Sequence, residues 1–205
     1  YFFMTQTQKK THRLAVAAML TAVAAVLQFV EFAIPLMPSF IKLDISDLPA
    51  LLGTFSLGPV YGVAIQLAKN LLHLPFGSSA GVGELSNFIL GAVFVFVAGI
   101  IYKHNKSRKS ALVGSVAGAA AMALVSIVTN YFIVYPAYVV LYKLPLEAIV
   151  GMYEAILGGV SHVPTQNALL NCLLVFNVPF TLVKGLLDTA LCFLIYKPLS
   201  PLLHR

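Results

Sequence analysis

Long apolar runs separated by short polar interruptions dominate this chain. They cover residues 14–34, 48–74, 82–102, 111–141 and 178–199. A helix needs about 20 apolar residues to cross a bilayer, and each of these runs supplies that length. The second run is broken in the middle by Leu57-Gly58-Pro59, so it divides into 48–57 and 59–74. A Gly-Pro break frees backbone groups that lipid cannot satisfy, so neighbouring helices must shield these two short segments.

Charge sets the topology. The linker Lys103-His104-Asn105-Lys106-Ser107-Arg108-Lys109 is the densest basic run, and Lys9, Lys10, His12 and Arg13 precede the first apolar run. Both belong on the cytoplasmic side. Two basic segments on one side require an even number of crossings between them, which holds only if the broken run counts as two passes. The pattern therefore predicts an all-α integral membrane protein, a bundle of six helices in a single membrane domain with both termini cytoplasmic. Residues 1–3 read as an expression scar ahead of Met4. A cleaved signal peptide is the competing reading of the first run, which is too long for an h-region and carries Glu31.

Composition agrees. Of 205 residues, 60% belong to the AVILMFWYC set and only 10% are charged, against about 25% charged in soluble domains. A cytosolic enzyme, a disordered chain and a disulfide-built secreted module are excluded. The net charge of +6 needs no nucleic acid, because basic segments at the cytoplasmic face meet anionic lipid or a partner protein. Cys172 and Cys192 fit no metal or redox spacing and read as packed thiols.

The candidate chemistry collects at the outer end. Residues 35–47, 73–84 and 142–177 converge there. The last stretch is long for a connector, and 146–157 and 167–176 within it suit interfacial helices. Polar residues inside the apolar runs are few and costly. Lys184 lies about two turns into the last helix if Asn177 caps it and Pro179 opens its first turn. It pairs with Asp188 one turn on, contacts a ligand, or does both. Asn130 serves an interhelical hydrogen bond or a ligand. Glu84 suits the first turn of a helix, and Asn87 sits one turn deeper, where capping does not account for it. Thr181 shares the face of Lys184. Lys69 and Asn70 read as interfacial, with the lysine snorkelling. Asp44 and Asp47 read as caps of the next helix, helped by Ser46 and Pro49. Together these residues describe an outward-opening, mostly apolar cavity suited to a planar heteroaromatic ring.

No GxxxxGK[ST] or HExxH is present, and the histidines have no metal spacing. The chain does not read as an enzyme, and no cofactor or metal is expected. In the first helix Ala15, Ala18, Ala22 and Ala25 form one stripe that lets another helix approach closely.

Several blocks carry a family resemblance. They are Lys42-Leu43-Asp44-Ile45-Ser46-Asp47-Leu48-Pro49-Ala50-Leu51, Leu57-Gly58-Pro59, Lys69-Asn70-Leu71-Leu72-His73 and Gly83-Glu84-Leu85-Ser86-Asn87-Phe88. Asn130-Tyr131-Phe132 and Pro179-Phe180-Thr181-Leu182-Val183-Lys184-Gly185 complete the set. In this order they resemble the riboflavin-specific substrate-binding (S) components of energy-coupling factor (ECF) transporters. The resemblance implies a six-helix subunit of a prokaryotic cell membrane that captures riboflavin from outside. It also implies two kinds of partner, a transmembrane T component reached through Ala18 and Ala22, and a pair of ABC-type ATPases. Ligand contacts would fall at Asn130, Thr181 and Lys184, near Asn87. The 78–84 loop (Ala80, Gly83, Glu84) and the 43–47 segment (Leu43, Asp44) would close over the vitamin. The alternatives are an S component for thiamine or biotin, a secondary carrier that needs no ATPase, and a membrane enzyme acting on a lipid.

Overall fold

The computed structural model describes residues 5–35, 37–38, 41–77, 79–143, 145–156 and 168–203, with side chains as far as 195. The segment 1–3 and the 157–167 part of the long connection lie outside these. The architecture is helical. Helix α1 spans Gln6–Phe29, α2 Asp47–Leu57, α3 Pro59–His73, α4 Val82–His104 and α5 Arg108–Thr129. Helices α6 (Tyr135–Tyr142), α7 (Leu146–Ile156), α8 (Ala168–Cys172) and α9 (Val178–Leu203) follow. Two short strands, β1 (Phe32–Ala33) and β2 (Lys42–Leu43), pair antiparallel with Phe32 opposite Leu43. The described residues thus form nine α-helical elements rather than six.

Much of that difference comes from two long helices that change winding without stopping. A π-helical turn at Asn130–Val134 joins α5 to α6, and another at Leu173–Asn177 joins α8 to α9. Each lies two residues before a proline, Pro136 or Pro179. Proline lacks the N–H for an i→i−4 bond, and its ring crowds the carbonyl one turn back, so the helix widens there. Asn177 is therefore not a cap and Pro179 does not open the helix, as the sequence pattern suggested. Both lie within a helix that starts at Ala168.

Helix ends follow local chemistry elsewhere. Thr5 and Gln8 form a reciprocal capping box, which starts α1 eight residues ahead of the apolar run. Ser107 caps α5 by accepting from the Ser110 N–H at 3.1 Å. Gly58 takes φ +116° between α2 and α3, a conformation open to glycine, and Pro59 then begins α3.

Four stretches are long and apolar enough to cross a membrane: Gln6–Phe29, Val82–His104, Arg108–Tyr142 and Ala168–Ile195. Their outer faces expose Val26, Val113, Leu124 and Val128, the surface expected against lipid. Inside, Val16, Leu20, Leu51, Ile65, Phe94, Val95, Ala98 and Met122 form the main core. Small residues bring α4 and α5 together, where a Cβ on Gly118 would lie 2.5 Å from the Phe94 carbonyl oxygen. Thr54, Ser115 and Thr189 satisfy their buried hydroxyls on carbonyls of their own helices, at 2.7–2.9 Å.

Candidate functional site

Six helical segments line one cavity, four at their ends and two beside their widened turns. It is lined from the C-terminal end of α1 (Gln28, Phe29), the start of α2 (Asp47), the end of α3 (His73) and the start of α4 (Gly83, Glu84, Ser86, Asn87). The α5–α6 junction adds Asn130, Tyr135 and Tyr138, and α9 adds Phe180, Thr181 and Lys184. The paired strands contribute Lys42 and, on either side, Glu31 and Asp44. The cavity holds about 430 Å³, within the ~300–1,000 Å³ range of small-molecule sites.

Beneath it runs a buried charge network. The Lys184 Nζ donates to Asp44 Oδ2 at 2.8 Å and lies 3.4 Å from Asp47 Oδ2. Its third neighbour is Asn87 Oδ1 at 3.5 Å. The partner of Lys184 is thus an aspartate 140 residues away, not Asp188, whose carboxylate oxygens are buried without a hydrogen bond. Lys69 is fully buried and donates to Ser46 Oγ at 2.6 Å and Asp47 Oδ1 at 2.5 Å. It does not snorkel. Gln66 Nε2 completes the set on Asp47 Oδ1 at 2.9 Å. Asp44 is also not a helix cap. Its Oδ1 accepts from the Ser46 N–H at 2.9 Å and from the Ser46 hydroxyl, folding the strap that follows β2 back toward α9. The N-cap position of α2 is Ser46, which makes no side-chain capping bond. Burial favours the neutral form of Asp44, but Lys184 and Lys69 outweigh it and hold its carboxyl below the ordinary value.

A second cluster shapes the rim. Glu84 accepts from the Ser79 hydroxyl at 2.7 Å and bonds His73 Nδ1 at 3.0 Å. Ser79 Oγ accepts in turn from the Gly83 N–H at 2.9 Å. The His73 ring lies 4.8 Å from that of Phe29, which packs against Phe76 at 5.4 Å. On the opposite wall, Tyr153 of α7 donates to Asn177 Oδ1 at 2.7 Å, and the Tyr153 and Tyr135 hydroxyls are hydrogen-bonded to each other. Asn177 donates to Tyr135 at 3.3 Å. This triad holds the two widened turns together beside the cavity.

Of the residues singled out from the sequence, Lys184, Asn130, Thr181, Asn87, Glu84, Gly83 and Asp44 line this one chamber. Leu43 and Ala80 do not. Leu43 lies in β2, and Ala80 takes φ +49° in the turn before α4. Asn130 and Thr181 are buried and make no side-chain hydrogen bond among the described residues. Such groups are costly to bury unless something else meets them. Phe29, Tyr138, Phe180 and His73 also line the chamber and carry no site signal in the sequence, because aromatic residues in or beside apolar runs look like core. Ala18 and Ala22 lie far from the chamber, exposed along α1 with Ala15, while Ala25 is buried.

A chamber enclosed by apolar membrane helices, with aromatic walls and a few unmet polar groups, defines a membrane receptor or carrier for a small molecule. Residues 12–196 match the family described as "ECF transporter, substrate-specific component". The chain belongs to this family and is therefore a transporter subunit, not an enzyme. The riboflavin transporter RibU of Staphylococcus aureus is 34% identical over 197 residues, spanning 96% of this chain and 95% of the relative. The riboflavin transporter FmnP of Bacillus subtilis is 30% identical over 199 residues, covering 96% of each chain. A solved S component of a bacterial ECF transporter superposes with a TM-score of 0.72 at 34% identity, covering 96% of this chain and 99% of that one.

Proposed function

We propose that this chain captures riboflavin from outside the cell and delivers it for ATP-driven uptake. The observation that carries the reading is the chamber of about 430 Å³ where six helical segments converge, in a chain whose near-full-length relatives are riboflavin transporters. Phe29, Tyr135, Tyr138 and Phe180 supply faces for a planar ring. Asn87, Asn130, Thr181 and Lys184 supply hydrogen bonds to its carbonyl and ribityl edges. Riboflavin is uncharged, so Lys184 serves as a donor rather than a counter-ion. Gly83 and Glu84, with Ala80 of the preceding turn, close one side, and the strap through Leu43 and Asp44 closes the other.

Six passes through a prokaryotic cell membrane, with both termini cytoplasmic, complete the proposal. The ends of α1, α2, α3, α4, α5 and α9 that meet at the chamber alternate between C-terminal and N-terminal. Successive helices therefore run in opposite directions, and the basic linker 103–109 falls at the end away from the chamber. Energy comes from partners, a transmembrane T component bound through Ala18 and Ala22 of α1 and two ABC-type ATPases. No cofactor is needed, because riboflavin is cargo. Protein purified from riboflavin-containing medium is expected to carry a flavin absorbance spectrum and, once stripped, to quench the fluorescence of added riboflavin. Colourless protein that leaves riboflavin fluorescence unchanged, yet binds thiamine or biotin, would move it to another vitamin.

A further inference from the structure

Within the apolar stretch Ala168–Ile195, one turn beyond Lys184, Asp188 is 1% exposed, and neither of its carboxylate oxygens meets a hydrogen-bond donor among the described residues. It is not among the residues that line the chamber. The charged groups near enough to act on it are Asp44, Asp47, Lys69 and Lys184, so three carboxylates share two ammonium groups. Both ammonium groups are already engaged. Lys184 holds Asp44 at 2.8 Å with Asp47 at 3.4 Å, and Lys69 holds Asp47 at 2.5 Å. Asp44 and Asp47 are thereby balanced, and Asp188 is the surplus acid.

The packed neighbours offer it nothing else. Helices α2 and α5 lie against α9. Helix α2 brings one ionisable side chain, Asp47, and α5 brings none between residues 110 and 129. On α9 the next ionisable group is the thiol of Cys192. The buried hydroxyls of Thr54, Ser115, Ser126 and Thr189 each donate to a backbone carbonyl of their own helix. A carboxylate with no donor and no cation of its own is the costliest form in which to bury this side chain in a membrane protein. A metal ion takes several oxygen ligands, and no group of three His, Cys, Asp or Glu side chains among the described residues could hold one. A proton needs no further ligand. We infer that Asp188 is a proton-binding site, occupied in the folded chain at neutral pH. The network of Asp44, Asp47, Lys69, Lys184 and Asp188 then carries no net charge. An ionised Asp188 would compete for Lys184 from one turn away on the same helix. The proton therefore leaves Lys184 to Asp44 and the strap to its anchor.

The test is infrared spectroscopy of the purified full-length chain in an ester-free detergent at neutral pH, where the carbonyl stretch of a protonated carboxyl group stands apart from the carboxylate bands. The unmodified chain is expected to show that stretch, and Asp188→Asn to lose it. In weakly buffered solution with an indicator dye, denaturation is expected to release one more proton per chain from the unmodified protein than from Asp188→Asn, because an aspartate exposed to neutral water ionises. Absence of the stretch from the unmodified chain overturns the inference, whether or not the variant folds. A stretch that survives Asp188→Asn overturns it as well, and so does equal proton release. An unfolding midpoint that rises with sodium chloride over choline chloride in the unmodified chain, and not in Asp188→Asn, would put a sodium ion in place of the proton and likewise overturn it.

Discussion

At Lys184 one ammonium group serves two demands, holding the strap through Asp44 and reaching into the chamber. Removing it leaves the Asp44 carboxylate buried without its closest cation, and breaking such a pair costs about 3–5 kcal/mol. Lys184→Ala therefore lowers both stability and binding, and loss of binding alone says little about contact. The double substitution Lys184→Ala with Asp44→Asn separates the two. Thermal unfolding in detergent is expected to recover part of the lost stability, because the Asp44 carboxylate no longer stands buried without its closest cation. Riboflavin affinity stays down by about 1.5–3 kcal/mol, roughly 10- to 150-fold, as for a lost charge-assisted hydrogen bond. Full recovery of binding would make the lysine purely structural. The same pair sets an acid limit. Asp44 is held below its ordinary 3.8 by Lys184 and Lys69 against the effect of burial. A carboxyl depressed in the folded state contributes stability that is complete above its unfolded value and is lost as pH falls through the folded one. The unfolding midpoint should thus be insensitive to this group from neutral pH down to about 4 and should drop below that, with a shallower drop in Asp44→Asn.

The helices show how close packing and proline geometry build the chamber wall. Gly118 lets α5 lie against the α4 backbone, and a Cβ there would sit 2.5 Å from the Phe94 carbonyl oxygen. Gly151 on α7 has open space at the same position. Gly118→Ala is expected to cost about 1–3 kcal/mol through overpacking, while Gly151→Ala is neutral or gains up to about 1 kcal/mol from helix propensity. Midpoints of thermal unfolding compare the two directly. Apolar run length made the membrane-crossing helices legible from residues alone. Burial cost did the same for the chamber, since Asn130, Asn87, Thr181 and Lys184 stand out in apolar surroundings. What stayed hidden has physical reasons. Pro179 looks like a helix start, yet a widened turn carries the helix through it from Ala168. Lys69 has the stem to reach an interface, and only the position of Asp47 on a neighbouring helix reveals that it points inward. The Asp44–Lys184 pair joins residues 140 apart, a separation at which no local pattern operates.

For the whole molecule, the chamber and the alanine stripe proposed for partner contact occupy different parts of one helix. The end of α1 gives Gln28 and Phe29 to the cavity, while Ala15, Ala18 and Ala22 lie exposed farther down, beside Leu14, Met19 and Val23. Apolar exposure by itself is expected against lipid, and α5 shows it equally with Val113 and Leu124. The α1 stripe differs because its side chains are small, which allows a helix to approach at backbone distance without a hydrophobic drive. A bulky residue there should obstruct a protein partner yet leave lipid contact and the chamber alone. Ala18→Leu and Ala22→Leu are each expected to bind riboflavin within twofold of the unmodified chain. Both should fail to co-purify with the T component and ATPases and should support no ATP-driven uptake in vesicles. Ala120→Leu, on the exposed face of α5, controls for bulk against lipid and is expected to retain binding, assembly and uptake. If Ala120→Leu blocked assembly while the α1 variants did not, the coupling surface would lie on α5, and the separation of capture from coupling along α1 would be wrong.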